Sequence, residues 1–362
     1  MKILTVLGTR PEAIKMYPII KELKSRNTSS KICISAQHKE LLYSVLREFS
    51  IKADYDLGIY KKYKSLSEIT CGVIMGITNI LRRECPDIVL VHGDTTTAFS
   101  AATAAYYQKI PIAHIEAGLR TYDTENPFPE EFNRRGIDSI SNLLFAPTET
   151  AVQNLISEHV EKKRIYLTGN TIYDIPKLLY KKDYTNSILD CSADTKLILL
   201  TTHRRENIPH LRSIYRAVIR LCSFEKVKVI FPIHPNPKIQ KVAKEAFYNN
   251  DSIILTEPLK TVDFHNILAR SNMVLTDSGG VQEEAMYYCK PTLILRNATE
   301  RIEAVNSEYI KLVGTDENNI YNIAREFLNK KATCIKTNVN RNIFKHGAAK
   351  RIADIILSQA VN

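Results

Sequence analysis

The sequence predicts an α/β protein with two doubly wound, Rossmann-like domains that face each other across a cleft. Short apolar runs rich in β-branched residues alternate with longer helical patterns, and this alternation is typical of a parallel sheet with crossover helices. The length of 362 residues corresponds to a little over two ordinary domains. A polar, weakly periodic stretch at 181–196 separates two series of apolar runs. It follows a turn at Thr168-Gly169-Asn170-Thr171, which places the domain boundary near residue 170.

Each domain is expected to contain five strands. The N-terminal domain is assigned to 1–170 and the C-terminal domain to 171–345, and a last helix at about 346–360 is expected to pack back on the N-terminal domain. In the first domain the predicted strands are Ile3–Leu7, Ile32–Ala36, Ile88–His92, Ile112–Ile115 and Leu143–Ala146. In the second domain they are Leu197–Thr201, Val227–Ile233, Ile253–Leu255, Met273–Thr276 and Thr292–Leu295. Because open parallel sheets bind ligands beyond the carboxyl ends of their strands, the residues that follow each strand are the candidates for a functional site.

Composition restricts the classes of partner. The 50 Lys and Arg residues against 39 Asp and Glu residues leave an excess of +11, which favours an anionic partner such as nucleic acid, a membrane surface or a phosphorylated metabolite. The Lys/Arg runs are short, and the first apolar run, Ile3–Leu7, is too short for a secretion signal or a membrane span. We therefore expect a cytoplasmic protein that binds neither nucleic acid nor membrane. The seven cysteines are far apart and form no metal-ligand pattern, so no metal and no cofactor are expected.

Arg10 and Lys15 follow the first predicted strand. Gly8 permits a tight exit from that strand and Pro11 fits the first turn of a helix, so both cations lie at or near a helix start, where phosphate binds well. The segment lacks the GxGxxG spacing of a dinucleotide site. The two side chains predict a phosphate contact, with surface charges on a first helix as the alternative.

Three acidic residues follow strands or begin a helix in the first domain. Asp94 and Glu116 come directly after neighbouring predicted strands, and Glu130 begins a helix. Capping of the next helix would explain Asp94 without a functional role, and attraction to the helix dipole would explain Glu130. Two carboxylates at the ends of neighbouring strands are harder to explain in this way, and they mark a candidate site.

The first strands of the second domain are followed by histidines. His203 precedes the pair formed by Arg204 and Arg205, and a histidine next to two arginines at a strand end is a candidate for acid/base or anion-binding chemistry. His234 follows the next strand in a proline-rich turn, where a structural role is the simpler interpretation.

The Ser278-Gly279-Gly280 turn is the most specific local signal. It connects a predicted strand to a helix, and the N–H groups at such a helix start can cradle a pyrophosphate. Glu283 and Glu284 follow on the first turn, where a carboxylate can reach a ribose diol. The alternative is a tight turn followed by ordinary first-turn acids. Arg301 follows the next strand and would add a cation near the same place.

These motifs together resemble a known family. The segments GTRPEAIKM, VHGDTTT, HIEAGLRT, PFPEEFNR, TGNT, HRREN, DSGGVQEEA and TER occur in the order and at the spacing of the non-hydrolysing UDP-N-acetylglucosamine 2-epimerases. The resemblance extends from Met1 to about Gly314, with a weaker match near Gly347. It implies a glycosyltransferase-B-like fold, a homodimer, and interconversion of UDP-N-acetylglucosamine and UDP-N-acetylmannosamine for bacterial surface polysaccharide supply. The implied reaction eliminates UDP to give 2-acetamidoglucal and then adds UDP back.

The resemblance also implies roles for individual residues. Inversion at one ring carbon requires proton removal and delivery from two faces, which one acid cannot do alone. The positions that match the acid/base set of the family are Asp94, Glu116, Glu130 and His203. The positions that match its UDP contacts are Arg10, Lys15, Ser278, Gly279, Gly280, Glu284 and Arg301, and the uracil environment is assigned to Leu259 and Phe264.

Several positions depart from the family pattern. Gly72 stands where many bacterial members carry an Arg associated with a second, activating substrate molecule, which argues against allosteric activation. The other residues of that neighbourhood are retained: Glu130 of the acid/base set, and Gln37, His38, Arg204 and His234 as a possible allosteric site. Further departures are Ile208-Pro209-His210, Asn297-Ala298 and Ile302. Three alternative functions stay open from the sequence: a hydrolysing epimerase that releases UDP and N-acetylmannosamine, a glycosyltransferase of the same fold, and an inert nucleotide-sugar sensor.

Overall fold

The chain forms two compact units, each built around its own parallel sheet. The computed structural model describes residues 1–36, 39–62, 65–125, 127–223, 226–297, 309–329 and 347–359. Unit 1 comprises Met1–Leu178 and Thr337–Asn362, and unit 2 comprises Leu179–Lys336. Helices alternate with the strands in both units. The predicted fold class, α/β with two doubly wound Rossmann-like sheets, is confirmed.

Unit 1 has a seven-stranded sheet in the order β3-β2-β1-β4-β5-β6-β7. Its strands are β1 (Lys2–Leu7), β2 (Ser29–Ile34), β3 (Tyr55–Asp56), β4 (Ile88–His92), β5 (Ile112–Ile115), β6 (Leu143–Ala146) and β7 (Ile165–Leu167). Its main helices are α1 (Arg10–Ser25), α2 (Lys39–Glu48), α3 (Ile59–Lys62), α4 (Leu66–Glu84), α5 (Thr96–Tyr107), α6 (Glu130–Ile140) and α7 (Glu149–Ser157). A short helix, α8 (Ile175–Leu179), follows at the boundary between the units.

Unit 2 has a six-stranded sheet in the order β10-β9-β8-β11-β12-β13. Its strands are β8 (Lys196–Thr201), β9 (Val227–Pro232), β10 (Ile253–Thr256), β11 (Met273–Thr276), β12 (Thr292–Ile294) and β13 (Ile310–Leu312). Its helices are α9 (Leu211–Cys222), α10 (Pro237–Ala246), α11 (Thr261–Arg270), α12 (Gly279–Tyr287) and α13 (Glu317–Asn329). The last described helix, α14 (Ala348–Ser358), returns to unit 1 and packs against α1.

Short polar side chains specify several helix starts in unit 1. Ser65 and Glu68 form a reciprocal capping box at α4, with N–H to oxygen distances of 2.9 and 3.2 Å. Thr95 accepts a hydrogen bond from the first turn of α5, and Thr148 does the same for α7. Between these helices, the central strands β4 and β5 are buried along their whole length, as expected for a parallel sheet that is covered on both faces.

The strand order reverses at β1 in unit 1 and at β8 in unit 2. Strand β1 lies between β2 and β4, and strand β8 lies between β9 and β11, with every pair parallel. Ligands bind near such switch points, beyond the carboxyl ends of the strands. The segments that follow β1 and β4 carry Arg10 and Asp94, and the segments that follow β8 and β11 carry His203 and Ser278.

None of the described helices is long and apolar enough to cross a bilayer.

Candidate active site

Glu116 lies at the end of β5, where its backbone is strained and its carboxylate is surrounded by polar side chains. Its φ of +71° is in the left-handed region, which a non-glycine residue adopts at a cost of about 1–3 kcal/mol and which is frequent at functional sites. One carboxylate oxygen is 2.5 Å from Lys15 Nζ and accepts a hydrogen bond from the Asn170 amide at 3.0 Å. The other oxygen is 3.7 Å from His92 Nε2. The structure therefore places Lys15, which the sequence assigned to the diphosphate, in an ion pair with a candidate acid/base group.

Asp94 lies at the end of β4 and is paired with α6. Its Oδ2 is 3.0 Å from both Nε and Nη2 of Arg134, and its backbone carbonyl accepts a hydrogen bond from Asn133 at 2.8 Å. The residue that caps α5 is Thr95, whose hydroxyl accepts a hydrogen bond from Ala98 N–H at 3.1 Å. The capping alternative considered for Asp94 is therefore wrong, and its half-buried carboxylate is held by an arginine instead.

Glu130 is the first residue of α6, the helix that also carries Arg134. Within the described residues, its buried Oε2 has no hydrogen-bond partner. A buried carboxylate oxygen without a partner is costly in a folded protein and is often explained by a ligand or a catalytic role. Asp94, Glu116 and Glu130 all belong to unit 1. Arg134 lies on the helix that begins with Glu130, and its ion pair with Asp94 connects that carboxylate to this helix.

Glu12 is a fully buried carboxylate that the sequence did not single out. Its Oε2 accepts hydrogen bonds from the N–H groups of Gly8 and Thr9 at 3.0 and 2.6 Å, and its Oε1 accepts one from the Thr95 hydroxyl at 2.9 Å. Burial raises the pKa of Glu12 to about 7, although these hydrogen bonds act to lower it. The side chain thus ties the turn that carries Arg10 to the segment that carries Asp94.

The Ser278-Gly279-Gly280 turn begins α12 in unit 2, as predicted. Ser278 is the N-cap residue, and its N–H already donates to the Thr276 hydroxyl at 3.0 Å. The first N–H groups within a helix have no acceptor in their own helix and carry its positive dipole end. A Cβ placed on Gly280 would meet no atom of the described residues within 4 Å, so none of them fills the space at this position of the helix start. The cradle can therefore be formed by the glycine N–H groups rather than by the N–H of Ser278.

Glu284 and the two apolar candidates lie around the same helix. Leu259, Phe264 and Val281 of α12 each pack against the same buried apolar cluster. Glu284 Oε1 is 3.8 Å from Nε2 of His265, which is completely buried. The structure thus brings a carboxylate, a helix N-terminus and an apolar wall together within unit 2.

His203 and His234 lie side by side after β8 and β9. Their ring centroids are 5.9 Å apart, and burial lowers the pKa of both imidazoles. The buried carboxylate of Asp277 accepts hydrogen bonds from the N–H groups of His203 and Arg204, and its Oδ1 is 3.3 Å from His203 Nδ1. Asp277, which the sequence did not single out, thus joins the His203 segment to the start of the Ser278 turn.

Some predicted residues lie outside the described ranges. These are Gln37, His38 and Arg301, together with Ala298 and Ile302 among the departures. Gly72 lies on α4 in unit 1, whereas Arg204 and His234 lie in unit 2, and their allosteric role stays a prediction. Across the ranges that are described, no three His, Cys, Asp or Glu side chains come close enough to hold a metal ion.

Two buried histidines predict how stability depends on pH. Burial lowers the pKa of His92 to about 4 and that of His265 to about 3, against 6.5 for the exposed imidazole. Below pH 6.5 the unfolded chain binds protons at these two positions that the folded chain does not, so the histidine contribution to the free energy of unfolding falls as the pH falls. Glu12, whose pKa is raised to about 7, contributes in the opposite direction. We expect a loss of up to about 3 kcal/mol from His92 between pH 6.5 and 4, measured by urea unfolding.

The matched variants for this prediction are His92→Asn and His210→Asn. His210 is exposed, so its replacement should leave the pH dependence of the wild type in place. His92→Asn should make that dependence shallower. Unfolding free energies of His92→Asn that fall with pH as steeply as those of the wild type would show that this explanation is wrong.

The fold and the site define an α/β enzyme with two Rossmann-like units of the glycosyltransferase-B type. A crystal structure of the glycotransferase of kitacinnamycin superimposes with a TM-score of 0.68 at 11% identity, over 99% of this chain and 98% of that one, and shows the fold alone. The sequence profile of the family described as UDP-N-acetylglucosamine 2-epimerase matches residues 21–357. The chain belongs to this family and is an epimerase, in the class of isomerases.

Individual relatives agree with this assignment. The UDP-N-acetylglucosamine 2-epimerase of Bacillus subtilis is 44% identical over 361 residues, covering 99% of this chain and 95% of its own. A crystal structure of a putative UDP-N-acetylglucosamine 2-epimerase from Listeria monocytogenes matches with a TM-score of 0.91 at 41% identity, over 99% and 96% of the two chains. The enzyme from Neisseria meningitidis, solved with UDP-GlcNAc bound, matches with a TM-score of 0.89 at 42% identity, over 99% and 100%.

Proposed function

We propose that this protein interconverts UDP-N-acetylglucosamine and UDP-N-acetylmannosamine without net hydrolysis, and so supplies a precursor for surface polysaccharide. The observation that carries the proposal is the group of three carboxylates in unit 1, of which one is strained and ion-paired and another has a buried oxygen without a partner among the described residues. A relative at 42% identity was solved with UDP-GlcNAc bound. A simple transferase would have no evident use for so many acid/base groups.

The proposed reaction has two steps. In the first, a carboxylate removes the proton from C2 of the sugar, the electron pair forms a C1–C2 double bond, and the bond from C1 to the diphosphate oxygen breaks. This leaves 2-acetamidoglucal and UDP on the enzyme. In the second step UDP adds back to C1, and a second acid delivers a proton to the opposite face of C2. Asp94, Glu116, Glu130 and His203 are the proposed acid/base groups.

Unit 2 is proposed to bind UDP. The glycine N–H groups at the start of α12 would take the diphosphate, Glu284 the ribose hydroxyls, and the apolar cluster of Leu259 and Phe264 the uracil. Arg10 would add positive charge that stabilises the leaving diphosphate. Lys15 already neutralises Glu116, so we propose that its main partner is this carboxylate, with the diphosphate as a second partner during the glycal stage. Arg301, outside the described ranges, keeps its proposed place among the diphosphate contacts.

Deuterated water tests the reaction directly. Incubation with UDP-N-acetylglucosamine should give UDP-N-acetylmannosamine, with deuterium at C2 of both sugars and no stoichiometric release of UDP, followed by NMR. Accumulation of UDP with free N-acetylmannosamine would establish the hydrolysing alternative. If neither the epimer nor deuterium at C2 is formed, epimerase activity is contradicted. Binding of UDP without any turnover would then favour the third alternative, an inert nucleotide-sugar sensor.

We also propose that the chain is a homodimer. Helices α4, α5 and α6 pack side by side in unit 1, and together they expose large apolar side chains: Met75, Tyr106, Tyr107 and Phe132. Exposed apolar surface on adjacent elements is typical of an interface. Light scattering of the active enzyme should give twice the chain mass, and a monomer at assay concentration would contradict the proposal.

A further inference from the structure

A buried ionic network lies directly beneath the strand ends of unit 1. The His114 ring, on β5, is 2.6 Å from Asp138 Oδ1 through Nδ1 and 2.8 Å from the Gly93 carbonyl through Nε2. Asp138 Oδ2 accepts a hydrogen bond from the Gly118 N–H at 3.1 Å and is 2.8 Å from Arg120 Nη2. The side chains of His114, Asp138 and Arg120 are essentially inaccessible to water.

The hydrogen-bond partners fix the orientation of the side chains in this network. A backbone carbonyl only accepts, so His114 Nε2 must carry a hydrogen. Burial acts to raise the pKa of Asp138, but the charges and hydrogen bonds of His114 and Arg120 outweigh it and hold that pKa below its usual range. The His114 ring is fixed in orientation because it has one partner at each nitrogen, Asp138 at Nδ1 and the Gly93 carbonyl at Nε2.

The network holds the backbone on both sides of two proposed acid/base residues. Gly93 precedes Asp94, and Gly118 follows Glu116 by two positions. Gly93 and Gly118 have φ values of +66° and +82°, so both backbone segments are in the left-handed region, as Glu116 itself is. A Cβ placed on Gly93 would lie 3.6 Å from Glu116 Oε2, which shows how close the two segments are.

We propose that His114 and Asp138 are positioning residues that fix Asp94 and Glu116 relative to each other for proton transfer. The inference rests on the proposed function, since it concerns the same two carboxylates. Acid/base groups have to be held within roughly 0.5 Å of their productive positions. His114 and Asp138 donate to or accept from the adjoining backbone and are too deeply buried to act on a sugar themselves.

Arg120 anchors the network from the surface side. Its guanidinium forms two hydrogen bonds with Glu158, at 2.8 and 2.7 Å, and the Glu158 side chain is 23% exposed. Loss of the Glu158 charge should loosen Arg120 without placing an unpaired group in the core. The same contacts can therefore be disturbed severely, by a substitution of Asp138, or mildly, by a substitution of Glu158.

The severe variant is Asp138→Asn. An amide carries no charge to pair with the buried Arg120, and it can accept on one side only, so it cannot keep all the contacts of the carboxylate with His114, Gly118 and Arg120. We expect kcat for epimerisation to fall about 10²-fold, because small misplacements of reacting groups have effects of that size. The KM and the affinity for UDP should change by less than about threefold, since the UDP contacts lie in unit 2. A loss of stability alone would instead lower the amount of active enzyme and leave kcat per UDP-binding site unchanged.

The matched control is Asp54→Asn. Asp54 accepts a hydrogen bond from the Ile32 N–H at 2.9 Å and pairs with Lys31, so it also anchors a strand by a carboxylate, but at β2. Its replacement should leave kcat within about twofold. Glu158→Gln should lower kcat by about three- to tenfold, again with a KM within about threefold of the wild-type value. This milder variant provides the test if Asp138→Asn does not fold.

An NMR measurement that does not depend on catalytic turnover tests this inference separately from the proposed function. In ¹³C-labelled protein, the carboxyl signals of Asp94 and Glu116 should shift in Asp138→Asn and Glu158→Gln and stay in place in Asp54→Asn. If the wild type proves inactive, the proposed function fails while these signals still test the positioning. Unmoved signals in a folded Asp138→Asn or Glu158→Gln, with kcat per UDP-binding site within twofold of wild type, would overturn the inference.

Discussion

Glu116→Gln is expected to lower kcat for epimerisation by ~10²- to 10⁴-fold, the contribution typical of a positioned acid/base group. The amide is isosteric and can still accept from Lys15 and Asn170, but it cannot take a proton at neutral pH. The affinity for UDP should stay within about threefold, because the proposed UDP contacts are in unit 2. The measurements are the initial rate of epimer formation, deuterium incorporation at C2 and calorimetric titration with UDP.

Glu149→Gln is the matched control for this substitution. Glu149 is an exposed carboxylate in the first turn of α7, where loss of its charge costs about 0.3–1 kcal/mol of stability and should not change kcat. A Glu116→Gln enzyme that keeps more than a third of the wild-type kcat would remove Glu116 from the acid/base set. It would also show that the strain and the Lys15 ion pair at this position serve the fold alone.

The sequence predicted the interior strands of both sheets and one edge strand, β10, and it missed the other three edge strands. All ten predicted strands are present, including β4, β5, β6 and β11 with the predicted bounds. The three strands it missed, β3, β7 and β13, each form the edge of a sheet. They have two or three residues and are mostly half-buried, so they lack the continuous apolar run that marks a strand covered on both faces. At β2 the prediction began three residues late, because its first part is also half-buried and polar.

Positions of candidate residues were more predictable than their partners. A carboxylate after an apolar strand is visible in the local sequence, and so is a Ser-Gly-Gly turn before a helix. The pairing of Lys15 with Glu116 spans 101 residues, and that of Arg134 with Asp94 spans 40. Such pairs depend on which strands are neighbours in the sheet, which local patterns do not state. Glu12, His114 and Asp277 were missed for the same reason, since each acts through contacts with a different strand end.

Gly118→Ala is expected to destabilise unit 1 by about 3 kcal/mol or more. The φ of Gly118 is +82°, and a Cβ there would lie 2.3 Å from the Ala151 carbonyl oxygen and 2.9 Å from the Leu155 Cγ. The first of these atoms is backbone of α7, so the contact cannot be relieved by a rotamer change. Overpacking of this kind costs about 1–3 kcal/mol, and the left-handed backbone adds a comparable cost for a residue with a Cβ. Urea unfolding followed by circular dichroism measures the loss.

Gly58→Ala separates the two contributions. Gly58 also has a positive φ, +57°, but a Cβ there would meet no atom of the described part of the chain within 4 Å, so we expect only the backbone cost of roughly 1–2 kcal/mol. The difference between the two variants then measures the packing of the Glu116 segment against α7. The folded fraction of Gly118→Ala should also lose kcat, because the Gly118 N–H donates to Asp138 and its carbonyl accepts from Asn154. Equal free energies of unfolding for Gly118→Ala and Gly58→Ala would mean that α7 moves aside at no cost, and the segment that carries Glu116 would then be far less rigid than the proposed proton transfer requires.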